Sequence, residues 1–299
     1  MVRTILEASG DTLMGKDKLG YDLLATALTM GYIDLATLLI QKGANNLPGK
    51  DGRYSNKSVH LATQQENAEL VRFLLGHGVF INVMSRTDQG LTLLHIATMR
   101  REMDIARIPV KHGAQVDGPI TGSGRTSLYL AAATGNLEWV QFLVEIEADP
   151  RLNAENRFCT LHTVVKEGYM DIVWFLVAEG RLDINGATDN WLTSLHMALR
   201  DGRIEMVRFL LENSANPNLK TDQDYGPLHL ATQKGYKDLA QLLIQHDGFV
   251  WVEGTSGCTP FDEAVKYCSM DMVALLYEEG YFRARYEHNV MDTDRYTGP

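Results

Sequence analysis

The sequence predicts an all-α solenoid built from about eight helix–turn–helix units. Three observations support this prediction: a five-residue motif recurs, a glycine follows it at a fixed distance, and an apolar helical segment follows the glycine. Repeat periods of about 20–50 residues are typical of solenoids and arrays, so the chain is interpreted as an array. The motif is clearest in SVHLA, LLHIA, TLHTV, SLHMA and PLHLA, with the histidines His60, His95, His162, His196 and His229.

The first helix of each unit carries this motif, and we call the position of its histidine the marker. Ala25, Tyr129 and Asp262 occupy the marker in the other units, so that successive markers lie 33 to 35 residues apart. A glycine in the left-handed conformation is a common helix end. It follows the marker by six residues in five units, at Gly31, Gly135, Gly168, Gly202 and Gly235.

The second helix of each unit has apolar residues at three- and four-residue spacing, as in LEWVQFLV and IEMVRFLL. Pro109 falls inside the second helix of the third unit, where the loss of a hydrogen bond predicts a kinked or shortened helix. A Gly- or Asn-rich stretch follows each second helix. These residues do not continue a helix, which predicts an extended loop between units.

These residues resemble the ankyrin repeat, whose period is about 33 residues and whose signature is T-P-L-H-x-A. The resemblance covers residues 18–281 and implies an ankyrin-repeat solenoid, a curved stack of helix pairs with β-hairpin fingers along one edge. Residues 1–17 are then expected to form an N-terminal segment or cap, and residues 282–299 an irregular C-terminal tail. A single unit leaves its apolar face exposed, so stacking on neighbours is what stabilises each one.

The chain departs from the family pattern at the fingers and in the last unit. The finger turn usually holds glycine, and Gly20, Gly90, Gly124 and Gly257 match that pattern. Asp262 and Glu263 place charge on the last first helix, which predicts a terminal repeat with a solvated outer face. The remaining fingers are predicted to turn differently, because their turn residues are Ser55, Arg157, Trp191 and Asp224.

The composition argues against several classes of protein. Lys and Arg total 28 against 38 Asp and Glu, and a formal charge of −10 is unfavourable for a nucleic-acid binder. The three cysteines, Cys159, Cys258 and Cys268, have no CxxC spacing and are interpreted as free thiols. No apolar run approaches the roughly 18 residues of a membrane span. We therefore expect no membrane association, and an intracellular protein of the cytoplasm or nucleus.

The histidines do not predict a metal site or a catalytic site. Equivalent positions in stacked helices lie roughly 8–10 Å apart, whereas metal–nitrogen bonds are about 2 Å long. In the family that the chain resembles, the marker histidine bonds to backbone near the turns. Cys159 and His162 belong to the same repeat pattern, and the glycines of residues 121–127 are interpreted as the fourth finger rather than as a phosphate loop. No catalytic residue, metal or cofactor is therefore predicted.

Ankyrin repeats contact partners through the finger tips and the groove face of the first helices, and the resemblance implies the same here. In each of the last four units, one of the residues four and five after the marker is basic, and in two units the other is an acid. Three successive fingers also carry aromatic residues. Aromatic residues beside arginine are typical of binding hot spots. The predicted partner-binding residues of repeats 4–7 are Arg125, Tyr129, Phe158, Lys166, Glu167, Trp191, Arg200, Asp201, Tyr225 and Lys234.

The resulting functional prediction is a non-enzymatic scaffold that binds a segment of another protein in the concave groove and on the fingers of repeats 4–7. An acidic or mixed-charge segment fits the basic strip. One alternative is a small-molecule binder or an enzyme in the same groove, with Tyr129, Lys166, Glu167, Arg200 and Asp201 as groups able to transfer protons. Another is a pathogen or symbiont array that binds host proteins. The partner's identity and the oligomeric state are left open.

Overall fold

The computed structural model describes residues 27, 30, 32–41, 55–76, 90–120, 122–180, 182–254, 257–267 and 269–280. The chain divides into two compact units, residues 1–149 and 150–299. The expected N-terminal segment at 1–17, the expected tail at 282–299 and the residues Gly20, Ala25, Gly31 and Cys268 lie outside the described residues.

Helix pairs form the first unit. Helix α4 packs against α2 and α6, which are also first helices, and the second helix α3 packs against α5. First helices therefore pack against first helices and second helices against second helices, as stacked repeats require. The helices are α1 Ile33–Gln41, α2 Ser55–Gln64, α3 Ala68–Gly76, α4 Leu93–Arg100, α5 Met103–Lys111, α6 Ser127–Ala133 and α7 Leu137–Glu145.

The second unit repeats this arrangement. The first helix α10 packs against α8 and α12, α12 packs against α14, and the second helix α11 packs against α13. Residues 270–280 are also helical. The preceding helices are α8 Thr160–Glu167, α9 Met170–Ala178, α10 Ser194–Arg200, α11 Ile204–Glu212, α12 Pro227–Gln233, α13 Lys237–Gln245 and α14 Pro260–Lys266.

A threonine fixes the start of several first helices. Thr92 Oγ1 accepts a hydrogen bond from the backbone N–H of His95, and Thr193 Oγ1 accepts one from His196. The first N–H groups of a helix have no intrahelical partner, so such a cap contributes about 1 kcal/mol. The same bond joins Thr126 to Tyr129 and Thr259 to Asp262.

Left-handed residues end the first helices, as the glycine spacing predicts. The backbone φ is +69° at Gly135, +87° at Gly168, +66° at Gly202 and +72° at Gly235. In α2 and α4 the residues six positions after the marker are Glu66 and Arg101, with φ of +59° and +61°. The turn is thus the same with or without glycine.

The second helices bury a leucine at their seventh position. Leu74, Leu143, Leu176, Leu210 and Leu243 are all 0 % exposed. Pro109 occupies this position in α5, which nevertheless spans nine residues, as α3 and α7 do. The prediction of a shortened helix is therefore wrong. Proline removes a single N–H here, and the buried side chains of Ile105 and Ile108 keep that helix packed.

The described residues include no strand. The fingers contain isolated antiparallel bridges, Asn153–Cys159 and Ala187–Thr193, instead of extended ladders. The all-α prediction is confirmed. None of the helices in the described ranges has the length and apolar character needed to cross a membrane.

Candidate partner-binding site

The fourth to seventh fingers are tight hairpins with a left-handed turn residue. The N–H of Thr188 donates to the carbonyl of Leu192 at 3.0 Å, and Ala154 donates to Phe158 at 3.0 Å. The turn residues have φ of +78° at Gly90, +64° at Gly124, +55° at Arg157, +59° at Trp191, +57° at Asp224 and +71° at Gly257.

The prediction that the non-glycine fingers turn differently is therefore wrong for Trp191 and Asp224. It is confirmed for Arg157, because the preceding residue Asn156 is also left-handed, with φ of +58°. A left-handed conformation costs a residue with a side chain about 1–2 kcal/mol, and hydrogen bonds between neighbouring fingers hold these turns. Asp189 N–H donates to the Asn156 carbonyl at 3.0 Å, and Asp222 N–H donates to the Asn190 carbonyl at 3.2 Å. Ser55 is not a finger residue, because α2 begins there.

Four of the five marker histidines join their first helix to the following repeat through Nε2. His95 Nδ1 accepts a hydrogen bond from the Thr92 N–H at 3.1 Å, and His95 Nε2 lies 3.2 Å from the Arg125 carbonyl. Because Nδ1 accepts, the proton of the neutral ring is on Nε2, which donates to the carbonyl. His60, His162 and His229 make the equivalent Nε2 bond to the carbonyls of Leu91, Gly186 and Cys258. The predicted backbone role of the marker is confirmed.

Burial keeps these imidazoles neutral. Desolvation lowers the pKa of His95 and of His196 to about 4, against bonds to backbone carbonyls that raise it. Desolvation also lowers the pKa of His162 and His229. Protonation would place a second ring proton on Nδ1, facing the backbone N–H that donates to this nitrogen. That hydrogen bond would be lost, and protonation therefore breaks the helix cap.

Cys159 takes the place of the capping threonine in the fifth repeat. Its Sγ lies 3.0 Å from His162 Nδ1, and its N–H donates to the same nitrogen at 3.1 Å. Desolvation raises the pKa of the Cys159 thiol, while it lowers the pKa of His162. Both shifts favour the neutral pair. A nucleophilic cysteine needs a thiolate, so this geometry is that of a cap.

Two of the three predicted finger aromatics pack on their own marker histidine. The ring centroids of Phe158 and His162 are 5.3 Å apart, and those of Tyr225 and His229 are 5.4 Å apart. Trp191 stands one position earlier in its finger, at the left-handed turn, and is 60 % exposed. Phe158 and Tyr225 are half-buried. Trp191 is therefore the member of this group that is presented to solvent.

Tyr225 also reaches an unexpected buried acid. Its hydroxyl donates to Glu263 Oε1 at 3.1 Å, and desolvation and then Glu263 raise the pKa of Tyr225. Glu263 is 1 % exposed, so the predicted solvated position is wrong for this residue. It follows the marker directly, on the face that packs against the preceding finger, and Lys266 Nζ lies 3.9 Å from its Oε2. Asp262 is exposed, as expected.

The predicted charged residues lie at the C-terminal ends of the first helices. Lys166 Nζ is 3.8 Å from Glu167 Oε1, and Arg200 Nε is 3.4 Å from Asp201 Oδ1. The Lys166 and Arg200 side chains remain 53 % and 48 % exposed. Cations are favourable at helix C-termini because the helix dipole is negative there. Lys234, at the end of α12, is exposed as well.

Arg203 belongs to this surface although the sequence patterns do not single it out. Its Nη2 donates to the Lys166 carbonyl at 2.8 Å, and its Nε lies 3.7 Å from Asp201 Oδ2. The guanidinium occupies the space where a side chain at Gly168 would project. Gly168 is thus needed for this contact between successive repeats, because a side chain there would displace the Arg203 guanidinium.

A cavity of about 320 Å³ opens between the fifth and sixth fingers and the helices α8 and α10. We call it the finger cleft. Phe158, Leu192 and Met197 supply its apolar lining, and Lys166 and Arg200 supply its cations. Its finger side consists of Asn156, Thr188, Asp189 and Asn190.

The structure therefore brings together three of the predicted residues, Phe158, Lys166 and Arg200, around one cleft. The sequence patterns missed Leu192 and Met197, which look like ordinary core positions, and the polar finger residues beside them. Arg125 and Tyr129 belong to the first unit, where the Arg125 guanidinium lies 5.5 Å from the centre of the Tyr129 ring. Among the described residues, no three His, Cys, Asp or Glu side chains are placed to hold a metal ion.

Comparisons with known proteins agree with this architecture. The family description "Ankyrin repeats (3 copies)" matches residues 59–156, and "Ankyrin repeats (many copies)" matches 161–211 and 195–244. The crystal structure of the ankyrin repeat domain of Bcl-3, titled a unique member of the IkappaB protein family, superimposes with a TM-score of 0.66 at 22 % identity. That match covers 73 % of this chain and 97 % of the Bcl-3 chain.

Curated relatives are longer than the matched region. The chain is 25 % identical over 284 residues to the E3 ubiquitin-protein ligase KEG of Arabidopsis thaliana, covering 90 % of this chain and 17 % of KEG. It is 29 % identical over 244 residues to the human Ankyrin repeat and SOCS box protein 16, covering 81 % of this chain and 47 % of that protein. With period, helix pairing, histidine clamps and family match in agreement, the chain belongs to the ankyrin-repeat family.

Proposed function

We propose that the second unit binds a segment of another protein on a face formed by its fingers and the C-terminal ends of its first helices. We call this the binding face, and it comprises Phe158, Lys166, Trp191 and Arg200. Ankyrin repeats are in general protein-interaction scaffolds, which supports the class of function. We choose this surface because the Trp191 side chain is 60 % exposed on a left-handed finger turn.

Trp191 places a large apolar side chain in solvent at a strained backbone position. Its contacts show no benefit of that side chain to the fold. Its backbone N–H donates to the Thr188 carbonyl at 2.9 Å, a bond that glycine would make equally well. Strain of this kind concentrates at functional sites. Tryptophan and arginine are also enriched among interface hot spots, and Arg200 lies on the same unit.

The charges of the binding face favour an acidic or mixed-charge partner segment. Lys166 and Arg200 are half-exposed, and each lies beside an acidic neighbour in the sequence, Glu167 or Asp201. Exposed pairs of this type contribute about 0–1 kcal/mol, so a partner carboxylate can compete for the cations. We place this role in the cytoplasm or nucleus, since Cys159 and Cys258 are free thiols, as is usual in reducing compartments.

The test is capture of the partner from native extract, followed by mass spectrometry, with the wild type and with a Trp191→Ala/Arg200→Ala variant. We expect the double variant to lose the captured partner while its thermal unfolding transition stays nearly unchanged. Both side chains are exposed, so their truncation removes binding contacts and not core packing.

The chain offers a matched control in Trp174→Ala/Arg208→Ala. Trp174 is 53 % exposed on the second helix α9, and Arg208 is exposed on α11. This control should keep the partner. Capture that survives in the Trp191/Arg200 variant, or that is lost equally in both variants, would contradict the proposed surface.

Small-molecule binding is the second candidate function, and the volume of the finger cleft favours it. About 320 Å³ lies at the lower end of the range of about 300–1,000 Å³ for ligand pockets. Met197→Trp would fill such a pocket and abolish ligand-induced thermal stabilisation in a metabolite screen. Trp191→Ala would leave it unchanged, because Trp191 does not line the cleft. The two functions therefore respond to different substitutions.

A further inference from the structure

We infer that the finger cleft reads a short motif in the partner: one large apolar side chain inserted into the cleft, with a carboxylate one or two residues away held by Lys166 and Arg200. This inference rests on the proposed function and names the chemistry of the segment. Its basis is that one cavity combines a buried apolar lining with cations on one side only.

The lining is suited to one aliphatic or aromatic side chain. Met197 is 3 % exposed and forms the base, with Phe158 and Leu192 as half-buried walls. Methionine adapts its shape readily, so the cleft does not select a single apolar residue. A volume of about 320 Å³ accepts a single side chain more readily than a helix. The occupant is therefore an extended segment that inserts one residue.

The cations on the helix side are held loosely and remain available. Lys166 and Arg200 stand at equivalent ends of the successive helices α8 and α10, and each pairs with its sequence neighbour at 3.8 and 3.4 Å. Neither distance is that of a short charge-assisted bond, which is about 2.7–2.9 Å. A partner carboxylate that makes such bonds would therefore displace the intramolecular pairs.

The opposite side of the cleft gives the motif a direction. Asp189 is exposed on the finger side, and its N–H is engaged with the Asn156 carbonyl, so its position is fixed by the bond between fingers. Like charges placed close together are unfavourable. An acidic residue is thus favoured on the helix side of the inserted apolar residue and disfavoured on the finger side.

The experiment is selection of a random dodecapeptide library displayed on phage against the full chain, followed by fluorescence anisotropy with the enriched peptides. We expect peptides with Leu, Ile, Met or Phe within two positions of Asp or Glu. Replacing that acid by its amide should weaken binding to the wild type about tenfold. In a Lys166→Gln/Arg200→Gln variant the same replacement should have almost no effect.

Arg208→Gln on the second helix α11 is the matched control, and it should retain the full tenfold effect. Urea unfolding of each variant separates loss of binding from loss of folding. Enriched peptides that lack an acid, or an acid whose removal costs the same in the Lys166/Arg200 variant, would overturn the motif. The proposed function would survive that result if the peptides still required Trp191. Enriched peptides that bind a Trp191→Ala variant as tightly as the wild type would contradict the choice of Trp191 and leave the motif standing. Failure to enrich any peptide would contradict both.

Discussion

Arg157, Trp191 and Asp224 are left-handed at equivalent positions of three successive fingers, yet their side chains have nothing in common. Each has φ between +55° and +59°, a region that favours glycine. All three are exposed. Their backbone strain is therefore comparable, while their capacity to bind a partner is not. This allows strain and binding to be separated by substitution.

We predict that Arg157→Gly, Trp191→Gly and Asp224→Gly each raise the free energy of unfolding by about 1 kcal/mol. Glycine removes the steric cost of the left-handed turn, and its higher entropy in the unfolded chain offsets part of the gain. Only Trp191→Gly should also abolish partner binding. Urea unfolding and the capture assay measure the two effects on the same three proteins.

The outcome that contradicts this prediction is a Trp191→Gly protein less stable than the wild type. In that case the indole would contribute to the fold, and the strain would not indicate a binding role. Loss of partner binding in Arg157→Gly or Asp224→Gly would instead extend the binding face to those fingers.

At the residue scale, the role of a residue could be predicted from the sequence where that residue recurs in several repeats. It could not be predicted where the residue occurs once. The marker histidines could be assigned a backbone role because five units carry the ankyrin signature, and the resemblance implies that role. Glu263 was misplaced because nothing local reveals that Tyr225 donates a hydrogen bond to it across 38 residues. Trp191 was identified by its departure from glycine, but the backbone it adopts depends on hydrogen bonds between fingers, which no single repeat contains.

The second helices provide a prediction at the element scale. Pro109 occupies the position that a fully buried leucine holds in α3, α7, α9, α11 and α13. We predict that Pro109→Leu stabilises the protein by about 2–3 kcal/mol, because proline is about 3 kcal/mol less favourable than alanine inside a helix. Thermal unfolding measures the gain. A destabilised variant would show that the cavity around Pro109 has no room for leucine.

Asparagines in the loops after the second helices link neighbouring repeats. Asn218 Nδ2 donates to the Asp247 carbonyl at 2.9 Å, and its Oδ1 accepts from the Phe249 N–H at 2.7 Å. Asn185 makes the equivalent pair of bonds to Ser214 and Asn216. These side chains replace backbone pairing between loops that have no regular structure.

We predict that Asn218→Ala lowers the free energy of unfolding by about 1–2 kcal/mol, since two exposed hydrogen bonds are lost and the groups they leave can bond to water. Asn218→Asp should cost about half as much, because the carboxylate retains the acceptor and loses the donor. Chemical denaturation of the two variants gives the comparison. Equal losses would show that the acceptor bond to Phe249 contributes nothing.

At this scale the helices were predictable and the finger cleft was not. Helix period, caps and left-handed ends are local properties, and α2 to α14 follow them. The cleft depends on Phe158, Leu192 and Met197, which come from two fingers and one helix. Leu192 and Met197 look like core positions in their own repeat and Phe158 like a finger residue, so the opening between them is visible only when the repeats are packed.

Across the molecule, the buried histidines couple stability to pH. His95 in the first unit and His196 in the second have a pKa of about 4 in the fold, against 6.5 for the free side chain. Their stabilisation is present above pH 6.5 and is lost as the pH falls towards 4, because the unfolded chain then binds more protons. Lowering the pH from 7 to 5 should cost about 2 kcal/mol for each of the two.

Urea unfolding at pH 7 and pH 5 tests this prediction, with His196→Gln as the comparison. Glutamine does not titrate, so this variant should lose less stability between the two pH values than the wild type. Asp262 occupies the equivalent marker position in the last repeat, where the environment favours the charged form of the side chain instead of the neutral form. Bonds from the Thr259 N–H and hydroxyl lower its pKa, so it remains charged throughout this range. Identical pH dependence in His196→Gln and wild type would exclude His196 as a contributor.

The finger backbone has a consequence for how new specificity can arise. Glycine, arginine, tryptophan and aspartate already occupy equivalent turns with nearly the same φ, so side-chain identity there can change while the surrounding architecture is preserved. Simultaneous randomisation of positions 157, 191 and 224 would therefore yield a repertoire of recognition surfaces on one scaffold. Each non-glycine residue at these turns lowers the free energy of unfolding. The stability of the scaffold therefore limits how many of the three turns can carry a large side chain.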